Sequence, residues 1–170
     1  MCKVYRHIPE NVAERGAKLF FNTQQNSGAN CNACHTGDFF VDESFHVISM
    51  AKISSGKGEG EHGTGDLGRL RKTRDVTDKY AFTTHSLFNV TATGPRGYAV
   101  GSATLEQANR THLDPRTELH DYDFSQLASN IQAFDIVNNT LRVIDKFEAD
   151  RADDITYIKY LSLTNTQVTE

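Results

Sequence analysis

Two thiols and an imidazole stand within five residues of one another, in the run Cys31-Asn32-Ala33-Cys34-His35. C-x-x-C-H is the attachment sequence of c-type haem. Two thiols can add across the two vinyl groups on one edge of a porphyrin, and two intervening residues set that reach. The adjacent histidine then lies beneath the iron as its proximal ligand. The expected cofactor is one covalently bound haem c, with Cys31 and Cys34 as its anchors and His35 as the first iron ligand. Other chemistries are less well served. A thioredoxin-like dithiol would follow a strand in a βαβ setting, whereas a polar Gly/Asn loop precedes this pair. A zinc site would need a second Cys or His pair at ligand spacing, and only isolated histidines such as His62 and His85 are on offer. Cys2, the third cysteine, reads as an unpaired thiol near the chain end.

These residues must be positioned by a chain of 170 residues, enough for a single domain, 1–170, with one core. Its hydrophobic fraction of 38% is low, and a large apolar prosthetic group would supply interior that the side chains do not. A net charge of -4 provides no basic field for nucleic acid. No apolar run reaches the roughly 20 residues that a membrane span needs. The first residues, 1–8, read as a flexible terminus without the apolar stretch of a secretory signal, so an exported form would have had its signal removed.

The pattern of elements is mostly α with long loops. A first helix is predicted from Pro9 through Val12, Gly16, Leu19 and Phe20. Glycine in mid-helix costs about 1 kcal/mol relative to alanine, so Gly16 suggests a second helix passing close by. Residues 22–30 read as the loop leading into the cysteine motif, and the glycine-rich stretch 54–68 as a long exposed loop. Thr104, with Gln107 three positions on, caps a helix that begins with Leu105 and Ala108. Asp123 or Ser125 caps another carrying Phe124, Leu127, Ala128, Ile131 and Phe134. Leu141, Ile144 and Phe147 mark a further helix, and Ile155, Ile158 and Leu161 a last one.

Beyond the cysteine motif, the chain resembles the C-terminal haem domain of the bacterial di-haem cytochrome c peroxidase family, which includes the methylamine-utilisation protein MauG. The resemblance rests on Gly16-Ala17-Lys18-Leu19-Phe20, Cys31 to His35, Phe45-His46-Val47-Ile48, and Asp66-Leu67-Gly68-Arg69 for the family's D-x-G-R. It continues through Thr73, Asp78, Phe82-Thr83-Thr84-His85-Ser86-Leu87-Phe88-Asn89-Val90, Thr93-Gly94-Pro95 and Ala103-Thr104-Leu105-Glu106. Order and spacing match from about residue 10 to 110, and residues 154–161 are similar to the family's closing helix. The resemblance implies a cytochrome c-like fold in which the first and last helices cross, with Phe20 against Tyr157 or Leu161. It also implies a periplasmic location, where haem c is attached.

The chain departs from the family at positions that matter for the iron. The methionine that serves many members as sixth ligand falls on Gly97. Tyr98, one residue on, offers a phenolate in its place. Met50, His46 or His62 could also reach the iron, or the sixth position is open. Phe88 replaces an arginine expected near the haem propionates, and Arg69, in the matching D-x-G-R, is the favoured replacement over Arg71 and Arg96, because an unpaired buried propionate is costly. His85 replaces a family proline. Di-haem members carry a second C-x-x-C-H, and this chain has one.

The resemblance therefore implies an electron-transfer haem domain that exchanges electrons with a cytochrome c, a cupredoxin or a second haem domain. An open sixth position would instead favour a peroxidase, with His46, His85 or Glu106 as a base for O–O cleavage. A haem-based sensor, responding through the 54–68 loop, is the third reading.

Overall fold

A fourteen-residue helix near the end of the described chain holds the core, because its apolar and small polar residues fall on one stripe. Ile136, Asn139, Thr140, Val143 and Ile144 are all buried, at the spacing of a single helical face. The computed structural model describes residues 11–52, 56–60, 62–97, 101–127, 129–132 and 135–152, with the side chains of residues 126, 131 and 132 excepted. Its main elements are α1 (Val12–Phe21), β1 (Phe45–Val47), α2 (Leu70–Thr73), β2 (Ala81–Thr83), α3 (Leu105–Leu113), α4 (Pro115–Asp121), α5 (Ser129–Gln132) and the core helix α6 (Ile136–Ala149). Helix predominates, as the sequence leads one to expect.

Helix α1 begins at a capping box. The Asn11 side chain accepts from the Glu14 N–H at 2.9 Å, and Glu14 accepts from the Asn11 N–H at 3.2 Å. The start therefore lies at Asn11 rather than at Pro9, because this reciprocal pair satisfies two donors that a helix start leaves free. Pro9 itself lies outside the described residues. So do Tyr157 and Leu161, the expected partners of Phe20, and the whole predicted closing helix.

The two short strands pair antiparallel, with Phe45 opposite Thr83, His46 opposite Phe82 and Val47 opposite Ala81. Val47, Tyr80, Ala81 and Val143 form a buried cluster, with Leu67 and Phe147 packed against it. The buried Thr140 hydroxyl accepts the Lys52 N–H at 2.9 Å, tying the chain beyond β1 to α6.

Helices α3 and α4 meet at Asp114, whose carboxylate caps α4 by accepting from Thr117 N at 3.1 Å. Pro115 occupies the first position of α4, where a missing N–H costs nothing. Arg116 then clamps α4 to α6, donating to Asp145 at 2.7 Å and to Glu148 at 2.9 Å.

One expectation needs correction. The single helix expected from residue 124 to 134 is broken: Asp123 caps only a 3-10 turn, Phe124–Gln126, and α5 follows separately. The glycine-rich stretch is exposed at residues 57, 58, 60, 62 and 63, as expected, and among its described residues it is also bonded to itself. Lys57 N donates to Gly65 O at 2.8 Å and Gly65 N to Glu59 O at 2.7 Å, which makes a narrow ribbon. The ribbon is moored to α6 by Asn139 Nδ2, which donates to Thr64 Oγ1 at 3.0 Å, and Asp66 at its base is buried. Glycine lets the two backbones close on each other there: a side chain on Gly56 would meet Thr64 O at 2.2 Å.

Lys52, 7% exposed, lies over the Phe82 ring. Burial pulls its ammonium down to about 8 from an ordinary 10.5, against the opposing pull of Asp66. Below about pH 8 the lysine is charged whether the chain is folded or not, so the folded state carries the full cost of burying it. Between about 8 and 10.5 the unfolded chain keeps a proton that the folded chain has released, and stability rises with pH. Urea midpoints followed across this range should climb more steeply for the native chain than for Lys52→Met. Identical slopes would contradict this assignment.

Candidate functional site

The cysteine motif is a single helical turn hung from α1 by backbone hydrogen bonds. Ala29 N donates to Leu19 O at 2.7 Å and Asn30 N to Asn22 O at 2.9 Å. Gly28 makes this close approach feasible, since a Cβ there would lie 2.1 Å from Asn22 O. Asn30, at φ 57, turns the chain through the left-handed region and starts the 3-10 turn Cys31–Ala33. Cys34 N and His35 N both donate back to Cys31 O, at 3.3 and 3.0 Å. The i, i+3 spacing in such a turn puts both thiols on one side, with the histidine leaving the end of the turn.

Both thiols are free and half-buried. Burial is the largest influence on each and raises both above the ordinary thiol range. They therefore persist as thiols rather than thiolates near neutrality.

The orientation of His35 is set by a backbone acceptor. Its Nδ1 lies 3.2 Å from Phe40 O. A proton on Nδ1 donated to that carbonyl leaves Nε2 as the free lone pair, the tautomer and aim that a metal-ligating imidazole requires. The Val41 N–H donates to Thr36 O at 2.9 Å and closes the loop that presents Phe40.

Phenylalanines crowd around this turn. Phe20 meets Phe40 edge-on at 6.1 Å, Phe40 meets Phe88 at 5.8 Å, and Phe88 meets Phe39 at 6.1 Å. Ser86 Oγ donates to Phe39 O at 2.7 Å and fixes the 86–90 segment against the loop after His35. Phe39 and Phe88 are 67% and 55% exposed, a large apolar surface open beside two thiols and an imidazole. Phe88, standing where an arginine is expected from the resemblance, thus extends an aromatic shelf and supplies no charge.

On the other flank, Cys34 Sγ, an Asp42 carboxylate oxygen and a His46 ring nitrogen lie within 4.8 Å of one another. His46 Nε2 and Asp42 Oδ2 are 2.6 Å apart. Burial pushes Asp42 upward, but bonds from His46, Ser44 and Thr84 outweigh it and hold the carboxyl at about 2. A divalent cation on this trio would have to take the proton from a thiol that burial keeps protonated, and would displace His46 from Asp42. Beside them lies a cleft of about 340 Å³, lined in part by His46, Val47, Ala81 and Arg151.

The other sequence-derived candidates fall as follows. Arg69 is joined to Asp78 at 3.3 Å and lies over the Phe45 ring at 4.2 Å. Arg71 pairs with Glu59 at 2.8 Å. Arg96 spends its guanidinium on three backbone carbonyls, those of Val90, Thr91 and Ala103, and so braces the loop before α3. Met50 is 2% exposed and packs on Gly97, where a Cβ would meet its Cε at 2.2 Å. Tyr98 lies outside the described residues. Glu106 pairs with Arg110 at 2.7 Å, and His62 and His85 are exposed.

Sequence reasoning passed over His112, near the end of α3. Its Nδ1 lies 2.8 Å from Ala108 O, one helical turn back, so its Nε2 is likewise the free nitrogen. Burial is the main influence on it and lowers its pKa, and His35 is close enough to lower it further. By solvent accessibility the residue is exposed. The signal in the sequence was positional: His112 is four residues beyond Ala108, on the face of a helix already marked by Thr104 and Leu105.

The left-handed backbone at Asn30 gives a test of this local architecture. Asn30→Gly should leave stability within about 0.5 kcal/mol, whereas Asn30→Val, which a positive φ strains, should lower it by about 1–2 kcal/mol. Thermal or urea unfolding measures both, and equal stability of the two variants would show that the turn does not depend on this conformation.

Compared with protein-family models, curated proteins and solved structures, the chain matches none of them. Its function must therefore be argued from the site itself.

Proposed function

We propose that this chain is a haem c electron-transfer domain with a cytochrome c-like fold, resembling the electron-relay half of a di-haem cytochrome c peroxidase. The observation that carries the reading is the aim of His35: Nδ1 is tied to Phe40 O at 3.2 Å, on the same turn that sets two free thiols side by side. A structural histidine has no need of a free Nε2 beside two cysteines, and an iron ligand next to two thioether anchors does.

The surroundings fit the same group. The shelf of Phe20, Phe40, Phe88 and Phe39 offers an apolar bed to a flat macrocycle, and its exposed faces would gain burial at roughly 25 cal/mol per Å². The few fully buried apolar residues among those described are consistent with a chain that borrows part of its interior from a cofactor. When bound, haem supplies a one-electron couple at its iron. The residues supply the rest: Cys31 and Cys34 fix the edge of the ring, His35 ligates, and the Phe40 carbonyl raises the basicity of that ligand and so favours the ferric state.

Electron transfer requires no binding recess for a substrate, only an edge near the surface. The exposed Phe39 and Phe88 place apolar surface where a redox partner, a small cytochrome or cupredoxin or another haem domain, would approach. The periplasm is the compartment that haem c attachment implies. The D-x-G-R arginine, Arg69, pairs with Asp78 and lies over Phe45.

Co-expression with a haem c maturation system provides the test. The native chain should give a single reversible one-electron wave in voltammetry and a haem that survives denaturing electrophoresis. Cys31→Ala with Cys34→Ala should abolish both signals. A matured native chain that reduces peroxide at an iron open to added ligands would replace the carrier reading with the peroxidase one.

A further inference from the structure

Cys34, Asp42 and His46 come from three successive pieces of the chain: the end of the cysteine turn, the loop beyond it, and β1. Their donor atoms meet within 4.8 Å of one another. We propose that in the haem-free chain these three residues bind one divalent cation of the zinc type, and that haem attachment ends this binding. The site stands on its own geometry; only its loss on attachment rests on the haem reading.

Three observations carry it. The donors are one sulfur, one carboxylate oxygen and one imidazole nitrogen, a set that suits zinc and leaves a fourth tetrahedral position for water. All three residues are half-buried, neither scattered on open surface nor sealed in the core: the His46 and Asp42 side chains are 28% and 15% exposed. Each is also held from behind. His46 is fixed on β1 by pairing with Phe82 in β2. Ser44 N donates to Asp42 Oδ1 at 3.0 Å and leaves Oδ2 for the histidine side. Cys34 closes its turn by donating its N–H to Cys31 O at 3.3 Å. Such supports aim ligands before a metal arrives. His46 also lines the cleft of about 340 Å³, which gives an ion a way in from solvent.

The charges balance when the ion binds. The Cys34 thiol loses its proton to solvent as the sulfur–metal bond forms, and the hydrogen bond between His46 Nε2 and Asp42 Oδ2, 2.6 Å long, gives way to two bonds to the ion. One thiolate and one carboxylate then match its two positive charges. Haem attachment adds the same S–H across a vinyl group: the sulfur bonds to one vinyl carbon and the hydrogen goes to the other. The thioether left behind carries no negative charge, so metal and haem are alternatives for one sulfur. Cys31 stands outside the trio.

The experiment uses the full chain made without a maturation system, kept reduced, with cobalt(II) as a coloured stand-in for zinc. Titration should give one site per chain with a thiolate-to-cobalt charge-transfer band that zinc bleaches. Cys34→Ser should abolish the band, and His46→Ala or Asp42→Asn should each weaken cobalt binding by roughly tenfold or more, while Cys31→Ser leaves it in place. The two weakening variants stand in for each other should one fail to fold. A native chain without the band, or a band lost in Cys31→Ser and indifferent to His46→Ala and Asp42→Asn, overturns the site. Repeating the titration on the matured chain separates this inference from the haem reading. A haem-bearing protein without the cobalt band supports the exclusion, and one that keeps the band overturns it. A chain that gives the band yet never takes up haem retires the haem reading and leaves the metal site standing.

Discussion

One hydrogen bond governs the candidate chemistry: the carbonyl of Phe40 decides which nitrogen of His35 is free. An imidazole left to itself presents either nitrogen and swings about its χ angles. Here the acceptor comes from the loop immediately after the motif, so the same short segment that places the thiols also orients the ring. In the proposed haem site this bond would leave Nε2 available to the iron before the cofactor binds, which would lower the cost of assembling the site.

The rest of the fold can be seen as support for that segment. The capping box of α1 starts the helix from which the cysteine turn hangs, and the Ala29 and Asn30 amides complete the suspension. The strand pair and α6 make a small core under the other flank, while Ser86 holds the aromatic shelf against the 36–40 loop. Arg96, bound to three carbonyls, braces the approach to α3. Buried hydrophobic groups are concentrated around α6 and β1, and large apolar side chains stay exposed around the cysteine turn. That imbalance is consistent with the haem-centred interior proposed for the chain.

Parts of this were legible in the sequence because their physics is local. Thr104 and Gln107 are neighbours, and the cap forms as read: the Thr104 hydroxyl accepts from Gln107 N at 3.1 Å. The C-x-x-C-H spacing, on which the proposed haem reading rests, is likewise complete within five residues. Asp114-Pro115 was an equally local signal for the start of α4, and it went unread. Other features are not local. The glycine-rich stretch looks polar and unstructured by composition, but its order comes from backbone bonds across a narrow ribbon and from Asn139, far along the chain. Three-residue strands carry too little alternation to announce themselves, and their pairing depends on α6 covering one face. Arg69 reads as a propionate partner from its motif, whereas its pairing with Asp78 follows from the fold.

The central claim is that the turn at Cys31–His35 holds haem through two thioether bonds. Intact mass spectrometry of the chain after maturation tests it most directly, followed by fragmentation to locate the added mass. A gain of one haem, confined to the peptide containing Cys31 and Cys34, is the expected result. A chain at its bare polypeptide mass, colourless and carrying zinc on Cys34, Asp42 and His46, would contradict it.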